Sequence, residues 1–267
     1  MLAPTMARAD YNVAVGNSFT YEVVKSNWDI TYGADSSTGK GFNYDEIKYT
    51  EKTQLTVEVT AASASSVSWD MDIGTDTYSG TNIALDGLFF LFVLFYPLLY
   101  SSMGTWNQTY MDLGPELIPI FFVDPQLMSD FFFELSNETY ISTAFSTTDW
   151  IISNIGGSFD NTSTVAVFEW HFDTTLTNGP SGHNYGGTFT FIYAFSKTTG
   201  QMKGIYMDMD YSGQVDFTVT NIKMTHRVEE VGYNLPGVGL FPGFEWFMVI
   251  PAFAFLVGLP IIIKKRK

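Results

Sequence analysis

Apolar and polar residues alternate along two long stretches of the chain, residues 11–80 and residues 158–230. In the first stretch, for example, Trp69, Met71 and Ile73 alternate with serine and aspartate residues. A period of two with one polar face is typical of half-buried antiparallel strands. The sequence therefore predicts β-structure in both stretches.

Two local features of the second stretch predict the shape of its strands. Residues 197–200 read Lys-Thr-Thr-Gly, which predicts a hairpin loop with Gly200 in the left-handed conformation. Apolar positions are odd-numbered up to Val219 and even-numbered from Ile222 onwards. Since such a change of phase requires one extra residue in the strand, it predicts a β-bulge near Asn221.

Residues 81–157 show a different pattern. Residues 87–100 carry no polar side chain apart from two tyrosine hydroxyls, and we expect them to cover one face of the sheet. A second membrane-spanning helix is the alternative for this segment. Asp124 and Pro125 predict the start of a helix, because Asp is a favoured N-cap and Pro fits the first helical position. Another short helix is predicted over residues 148–154, closed by Gly156 and Gly157.

Together these patterns predict an α+β fold class that is mainly antiparallel β. We expect a curved sheet or half-barrel whose inner face is covered by the helical, apolar insert at residues 81–157. The alternation shows no convincing internal repeat along the chain.

The aromatic content suggests a candidate binding site. The chain contains 24 Phe, 15 Tyr and 6 Trp residues, concentrated on strand faces and in the middle segment. Core packing accounts for such residues, but a large apolar cavity between sheet and helices would use them to bind a lipid-like ligand. The candidate ligand-binding residues are Phe89, Phe92, Phe95, Phe131, Phe132, Phe189, Phe191 and Tyr193.

The C-terminal end predicts a membrane anchor. Residues 246–263 are 18 consecutive residues without a charge. At about 1.5 Å per residue they span roughly 27 Å of a hydrocarbon core about 30 Å thick, and we expect a transmembrane helix over residues 244–263. By the positive-inside rule the basic tail at residues 264–267 stays in the cytoplasm, which puts residues 1–243 outside the cell. A buried C-terminal core helix is the alternative.

A Pro/Gly-rich linker at residues 234–243 leads into this span and ends in the motif Pro242-Gly243-Phe244. This motif, followed by one apolar helix and a terminal basic cluster, resembles the C-terminal sorting signals of archaeal surface proteins. The resemblance implies that a sortase-like membrane protease cuts near the motif and replaces the helix with a lipid. A plain tail anchor has a similar sequence, and Glu245 directly after the motif departs from the family pattern.

A second resemblance concerns the β-rich part of the chain. The hairpin at residues 195–200, the alternating strand after it and the expected helical cover resemble, in topology, the half-barrel folds of bacterial lipoprotein carriers. This resemblance implies an apolar ligand held between sheet and helices.

The N-terminal residues and three sequons agree with an outside location. Ala7-Arg8-Ala9 fits the cleavage pattern of a signal peptide. We therefore interpret residues 1–9 as its remnant and residues 10–233 as the extracellular domain, with a chance match as the alternative. Three candidate N-glycosylation sites are Asn107, Asn137 and Asn161.

Charge and cysteine content exclude several classes of function. The chain has 13 Lys plus Arg against 28 Asp plus Glu, a net charge of −15, and no Lys or Arg occurs from residue 53 to residue 196. Because nucleic-acid affinity comes mainly from cations that meet phosphates, nucleic acid is excluded as a partner. The absence of cysteine excludes disulfides and thiol catalysis.

Three carboxylates suggest a metal site. Asp70, Asp72 and Asp76 are candidates for calcium ligands, since hard cations prefer oxygen. Their spacing is not that of an EF-hand, and alternating surface carboxylates are the alternative.

His171 lies between Glu169 and Asp173 on one face of a predicted strand. An imidazole between two carboxylates could ligate a metal or move protons, as in a hydrolase. The solvent face of a strand whose other face holds Phe168 and Trp170 explains these residues better. We therefore expect a protein without catalytic activity and with no cofactor other than calcium.

These observations lead to a functional hypothesis. The sequence suggests a membrane-anchored cell-surface domain that is not an enzyme and binds an apolar or lipid-like ligand, with the membrane and a sorting protease as further partners. The alternative is a structural or adhesive component of a surface layer, assembled with the help of calcium.

Overall fold

The computed structural model describes residues 11–83, 108–137 and 150–236 of the chain. Within them, ten strands form one open antiparallel sheet and two more form a separate hairpin, so the prediction of a mainly antiparallel β domain is confirmed. The strands are β1 (Ser18–Tyr32), β2 (Asp35–Lys40), β3 (Phe42–Tyr44), β4 (Ile47–Tyr49), β5 (Gln54–Ala62), β6 (Ser66–Ile73), β7 (Asp76–Ile83), β8 (Trp150–Asp160), β9 (Val165–Asn178), β10 (His183–Ser196), β11 (Met202–Val215) and β12 (Thr218–Glu230). The helices are α1 (Gln108–Leu113) and α2 (Pro125–Leu135).

The order of strands across the sheet is β7-β6-β5-β1-β12-β11-β10-β9-β8. The central strand β1 has 15 residues, which is long enough to hold two partners along one edge. Its residues 18–22 pair with β5 and its residues 27–32 pair with β2, while β12 follows its other edge. A β-bulge between Val23 and Lys25 separates the two regions.

The predicted bulge near Asn221 is wrong. The register of β11 and β12 is continuous along the whole pair. The change of phase arises because Asp216 and Phe217 form a two-residue turn, with φ angles of 50° and 62°, and Val219 just beyond it is exposed to solvent. The one bulge of the β1–β12 pair lies between Val23 and Lys25, opposite Arg227 and Val228 and away from Asn221.

The predicted helix at residues 148–154 is wrong for the part that the structure describes. Residues 150–160 form strand β8, which pairs with β9. Gly156 and Gly157, expected to close the helix, lie inside this strand. A Cβ on Gly157 would lie 3.1 Å from the Ser136 carbonyl oxygen and 3.3 Å from the Trp170 ring. The glycine therefore allows the end of α2 and an indole to approach the strand closely.

The middle of the chain contains less helix than expected among the described residues. An extended segment, residues 115–123, joins α1 to α2 and crosses one face of the sheet; we call it the strap and that face the inner face. The apolar segment at residues 87–100 lies outside the described residues. Seven residues of the strap are buried: Pro115, Leu117, Ile118, Ile120, Phe121, Phe122 and Val123.

Backbone hydrogen bonds fix both ends of the strap. At its start the Asn43 amide donates to the Pro115 carbonyl (2.8 Å) and the Leu117 amide donates to the Asn43 carbonyl (2.9 Å). At its end the Val123 amide donates to the Gly200 carbonyl at 3.0 Å. Gly200 has a φ of +68°, and a Cβ on it would lie 1.8 Å from the Val123 carbonyl oxygen. The predicted left-handed glycine of this hairpin loop is therefore confirmed.

Helix α2 begins where the sequence predicts. Asp124 Oδ1 accepts hydrogen bonds from two backbone amides of the first turn, at 2.9 and 3.0 Å, and Pro125 occupies the first helical position. The helix buries Phe132, whose ring stacks on Phe168 of β9 with 4.2 Å between centroids. α2 therefore covers the end of the inner face near β8, β9 and β10.

The compact unit formed by these elements ends at Leu235, which is buried and whose amide donates to Glu229 Oε1 at 2.6 Å. In the described part of the chain no helix has the length and apolar character needed to span a membrane. The predicted signal-peptide remnant, sorting motif, membrane span and basic tail all lie outside that part.

Candidate functional site

The aromatic residues predicted to bind a ligand fall into two groups. The first lies outside the described residues: Phe89, Phe92 and Phe95. The second lies in or against the core: Phe131, Phe132, Phe189, Phe191 and Tyr193. All of the second group except Phe131 are fully buried, and their rings contact one another and neighbouring aromatic rings. Aromatic packing therefore fills this part of the inner face.

A cleft of about 350 Å³ lies at the other end of the inner face. It runs between residues 79–82 of β7 and residues 118–120 of the strap, and Tyr44 and Trp69 provide aromatic walls. Most of its lining is apolar. Its volume lies within the range of about 300–1,000 Å³ that is typical of small-molecule sites.

The buried side chain of Asn82 fixes the shape of this cleft. Its Oδ1 accepts hydrogen bonds from Trp69 Nε1 (3.1 Å) and from the amides of Phe121 (3.1 Å) and Phe122 (3.2 Å). Its Nδ2 donates to the Pro119 carbonyl at 3.1 Å. One amide side chain therefore joins β7, the indole of β6 and the strap.

Tyr44 lines the cleft on the side of the β3–β4 hairpin, and two further tyrosines, Tyr49 and Tyr78, lie behind it. Tyr44 packs edge-on against Tyr78, with 4.7 Å between ring centroids. Tyr49 donates to Asp76 Oδ2 at 2.9 Å, because a carboxylate can only accept. The Tyr78 hydroxyl, 2.5 Å from that of Tyr49, must therefore donate to it. Burial and these two hydrogen bonds raise the pKa of Tyr49, which keeps its hydroxyl protonated.

Negative charge surrounds the Tyr44 side of the cleft. Burial raises the pKa of Tyr44, and the nearby carboxylates of Asp45 and Glu116 raise it further. Glu116 lies on the strap, where Asn43 pairs with it in a parallel bridge. Partial burial raises the pKa of Glu116, although its side chain reaches solvent. No hydrogen-bond or ion-pair partner for this carboxylate occurs among the described residues.

Trp69 belongs to a hairpin that repeats an earlier one, so the expectation of no internal repeat is corrected. Residues 28–39 and residues 69–80 both read Trp-Asp-x-x-x-Gly-x-Asp-x-x-x-Gly. Each has a two-residue turn that begins with a glycine, with φ of +62° or +63°, and each pairs its Trp with its last Gly. A Cβ on Gly39 or Gly80 would lie 2.4 or 2.3 Å from the facing indole. We call these units the Trp28 hairpin and the Trp69 hairpin.

The two hairpins differ in what covers the tryptophan. A Cβ on Gly114 would lie 2.5 Å from the Trp28 ring, so the backbone after α1 packs directly on this indole. Lys48 Nζ lies 4.6 Å from the Trp28 ring centroid and donates to the Asp112 carbonyl at 2.9 Å. Trp69 is as buried as Trp28, and Phe121 of the strap packs edge-on against its indole with 5.1 Å between ring centroids. Among the described residues no ammonium group lies on this indole, and the cleft borders it.

The three candidate calcium ligands do not converge. Asp70 and Asp72 lie on the outer face of β6, where each accepts a 2.6 Å hydrogen bond from a hydroxyl of β7. Asp76 lies in phase with the inner-face residues of β7 and accepts from Tyr49. The described ranges contain no group of three or more His, Asp or Glu residues that could hold a metal ion.

The set formed by Glu169, His171 and Asp173 lies on the outer face of β9. His171 Nδ1 is 2.9 Å from the Thr190 hydroxyl of β10, and Asp173 accepts a hydrogen bond from Asn154 of β8. His171 and Asp173 thus interact with two different neighbouring strands and do not turn toward a common ligand.

The structure contains one buried histidine, His226, whose burial the sequence pattern did not predict. His226 of β12 is 1% exposed. Ser26 Oγ donates to the Gly41 carbonyl at 2.6 Å, so His226 Nδ1, 3.0 Å from that hydroxyl, must donate to it. Burial lowers the pKa of His226 to about 4, which keeps the ring neutral at pH 7. This histidine closes the base of the Trp28 hairpin.

Two of the three candidate glycosylation sites are described. Asn137 follows α2 and Asn161 lies in the β8–β9 turn, and both are exposed. Asn107 lies outside the described residues. Exposure leaves Asn137 and Asn161 accessible to modification, as the sequence hypothesis requires.

Comparison with protein-family models, with curated proteins and with solved structures finds no match to this chain. The resemblances to archaeal surface proteins and to lipoprotein carriers therefore remain hypotheses drawn from the sequence.

Proposed function

We propose that this chain is a non-catalytic, membrane-anchored surface domain that binds an apolar, lipid-like ligand. The observation that carries the proposal is the cleft between β7 and the strap, with its mainly apolar lining and its aromatic walls, Tyr44 and Trp69. A mainly apolar lining with a few fixed polar groups is typical of small-molecule sites. The proposed binding residues differ from those expected from the sequence, because Phe132 and its neighbours pack against one another in the core and are buried.

The architecture supports the same proposal. An open antiparallel sheet whose inner face is covered by the strap and α2 is the arrangement expected of a half-barrel that carries an apolar ligand. In this interpretation the strap is one wall of the binding site and the sheet is the other. Asn82 holds the two walls together through four hydrogen bonds.

The ligand hypothesis is tested by extracting the full-length chain, purified from cells, with organic solvent and analysing the extract by mass spectrometry. We expect an apolar compound at up to one molecule per chain. Ile118→Trp, which fills the cleft, should remove it, whereas Val219→Trp on the exposed start of β12 should not. A chain that carries no apolar compound and binds no added alkyl probe would contradict the proposal.

The membrane anchor is tested in the same full-length chain. Lys at residues 253 and 256 would put two charges in the proposed span, each disfavoring insertion by about 2.5–3.5 kcal/mol. The doubly substituted chain, Phe253→Lys with Leu256→Lys, should leave the membrane fraction. Phe253→Leu with Leu256→Phe is the matched control and should remain there. An unchanged distribution of the lysine variant would contradict an inserted span.

The sorting hypothesis makes a separate prediction about mass. If a protease removes the span near the motif, the mature chain should lack residues after about Gly243 and carry a lipid. Substitution of the motif, Pro242→Ala with Gly243→Ala, should then restore the full-length mass. A wild-type chain that retains residues 264–267 would leave a plain tail anchor as the mode of attachment.

A structural role in a surface layer is the second candidate, and one observation favours it. Strands β7 and β8 end the sheet, and each has a strand neighbour on one side only within the described residues. Open edges of this kind allow a sheet to continue into another copy. Sedimentation of the full-length chain over a range of concentrations distinguishes the two: self-association favours the structural role, and a monomer favours the ligand carrier.

A further inference from the structure

We propose that the ligand of the Trp69 cleft is an amphiphile with a cationic, ammonium-type head group, rather than a fatty acid or a lipid with an anionic head. This inference rests on the proposed function, because it names the ligand class of the same cleft. Its grounds are the charge around the cleft and the occupied cation site of the repeated hairpin.

The charge around the cleft has one sign. Asp45 and Glu116 act on Tyr44, which forms one wall. No Lys or Arg occurs between residues 53 and 196, a range that includes β6, β7 and the strap. The one lysine of the β3–β4 hairpin, Lys48, is engaged with the Trp28 ring. A carboxylate or phosphate in the cleft would therefore meet repulsion, whereas an ammonium group would meet attraction.

The chain itself shows how a cation is bound by the repeated unit. In the Trp28 hairpin an ammonium group, that of Lys48, lies 4.6 Å from the centroid of the indole. A cation near an aromatic face is attracted by the negative face of the ring, more strongly when the cation is desolvated. The Trp69 hairpin has the same sequence pattern and the same Trp–Gly pair, and a cleft lies beside its indole. Phe121 packs edge-on against this indole, so an ammonium group supplied by a ligand would contact the part of the ring that borders the cleft.

The unpaired carboxylate of Glu116 agrees with this assignment. It is an acceptor next to an aromatic wall, with no partner among the described residues and with partial burial that disfavours its charge. A ligand ammonium near Tyr44 would compensate that charge. Trimethylammonium groups combine a positive charge with an apolar surface, which suits a cleft whose lining is mainly apolar.

The test uses three probes that share a six-carbon chain and differ in charge: hexyltrimethylammonium, hexanoate and 1-hexanol. Each is titrated into the full-length chain in lipid nanodiscs by calorimetry, with empty nanodiscs as the blank. We expect hexyltrimethylammonium to bind at least tenfold more tightly than the other two. Raising the salt concentration should reduce the preference, because screening weakens attraction between exposed charges.

Variants distinguish charge from shape. Glu116→Gln should weaken binding of the cationic probe by roughly three- to tenfold, and Glu116→Gln with Asp45→Asn should reduce its preference over hexanol to the part that the Trp69 indole supplies. Asn tolerates the positive φ of Asp45, which is 51°. Glu134→Gln is the matched control, because this exposed carboxylate lies on α2 at the other end of the inner face, and it should leave binding unchanged.

The outcomes separate this inference from the function on which it rests. Equal binding of the three probes, or tighter binding of hexanoate, would contradict the cationic head group. It would not contradict the proposal that the domain binds an apolar ligand. A cationic preference that the double substitution leaves undiminished would overturn the role of Asp45 and Glu116. If no probe binds and the solvent extract is also empty, the proposed function itself fails.

Discussion

The Trp28 hairpin and the Trp69 hairpin have the same sequence pattern and the same local structure, but they have different surroundings. In both, an indole covers a glycine of the facing strand, and the turn starts with a left-handed glycine. Both indoles are buried, the first by Gly114 and Lys48 and the second by Phe121 of the strap, but only the second also borders a cleft. Local sequence thus determines the hairpin, and distant segments determine what packs against its tryptophan.

The bases of the two hairpins show the same contrast. In the Trp28 hairpin the strand pairing puts Ser26 opposite Gly41, and the buried His226 completes the network. In the Trp69 hairpin the equivalent pair is Val67 and Asn82, and Asn82 binds the strap. The first base depends on a titratable group, and the second depends on a neutral amide. The hairpins should therefore respond differently to mutation and to pH.

The largest effect is expected from removing the indoles. Trp28→Ala and Trp69→Ala should each lower the free energy of unfolding by about 4 kcal/mol, as is usual for large core side chains. Denaturant unfolding of the full-length chain measures both. Only Trp69→Ala should also abolish binding of an alkyl probe. If Trp28→Ala also lost probe binding under conditions where the variant is folded, the claim that only the Trp69 hairpin contributes to binding would be contradicted.

Removal of the polar group next to each indole should have unequal effects. Asn82→Ala leaves three buried donors without their acceptor, those of Trp69, Phe121 and Phe122. We expect it to lower the free energy of unfolding by about 3 kcal/mol. Ser37→Ala leaves one buried donor, Trp28 Nε1, without its acceptor and also removes a donor to the exposed Asp112 carboxylate. It should lower the free energy of unfolding by about 1 kcal/mol. Equal effects of the two substitutions would show that the strap does not depend on Asn82.

Acid should affect the Trp28 hairpin first. The pKa of His226 is about 4 in the folded chain, below its ordinary value of 6.5, so the unfolded chain binds more protons between these pH values. The contribution of the neutral His226 to the free energy of unfolding is therefore fully present above about pH 6.5 and is lost as the pH falls toward 4. At pH 5 the loss is about 2 kcal/mol.

His226→Gln provides the control for this pH dependence, since glutamine has no charge to gain. The difference in unfolding free energy between pH 7.5 and pH 5 should be about 2 kcal/mol smaller in the variant than in the wild type. At pH 5, hydrogen exchange should show reduced protection of the backbone amides in β1 and β2, and unchanged protection in β6 and β7. An identical pH dependence in both chains would rule out His226 as its source.

The smallest effect is expected at the lysine that covers the first indole. Lys48→Met keeps the length of the side chain and removes the ammonium group. It should lower the free energy of unfolding by about 0.5–1 kcal/mol, the usual size of a cation–π contact at the surface. Lys40→Met, elsewhere in the same region of the chain, is the control and should change stability by less. Equal effects would mean that Lys48 contributes no specific contact with Trp28.

The sequence predicted the features that depend on neighbours in the chain. The strand pattern, the Asp124 cap of α2 and the left-handed Gly200 all follow from local rules, and the structure has them. The predicted bulge at Asn221 and the helix at residues 148–154 failed, because a short turn and a pair of glycines in a strand gave the same local signals. Those cases require knowledge of the partner strand.

The candidate site was not predictable from alternation alone. Its walls come from Tyr44, Trp69, β7 and the strap, which are far apart in sequence and meet through the sheet order. The strap has no period of two or of 3.6, since Pro115 and Pro119 interrupt it. One signal was present in the sequence: the Trp-Asp-x-x-x-Gly-x-Asp-x-x-x-Gly pattern occurs twice and would have marked Trp69 and Gly80 as a special pair.

Fluorine NMR of the full-length chain labelled with 5-fluorotryptophan, in lipid nanodiscs, compares the two hairpins most directly. Single Trp→Phe substitutions assign the resonances of Trp28 and Trp69 among the six tryptophans of the chain. On titration with hexyltrimethylammonium we expect the Trp69 resonance to shift and saturate while the Trp28 resonance stays in place. An unchanged Trp69 resonance, or equal shifts at both indoles, would contradict the assignment of the binding site to the cleft beside Trp69.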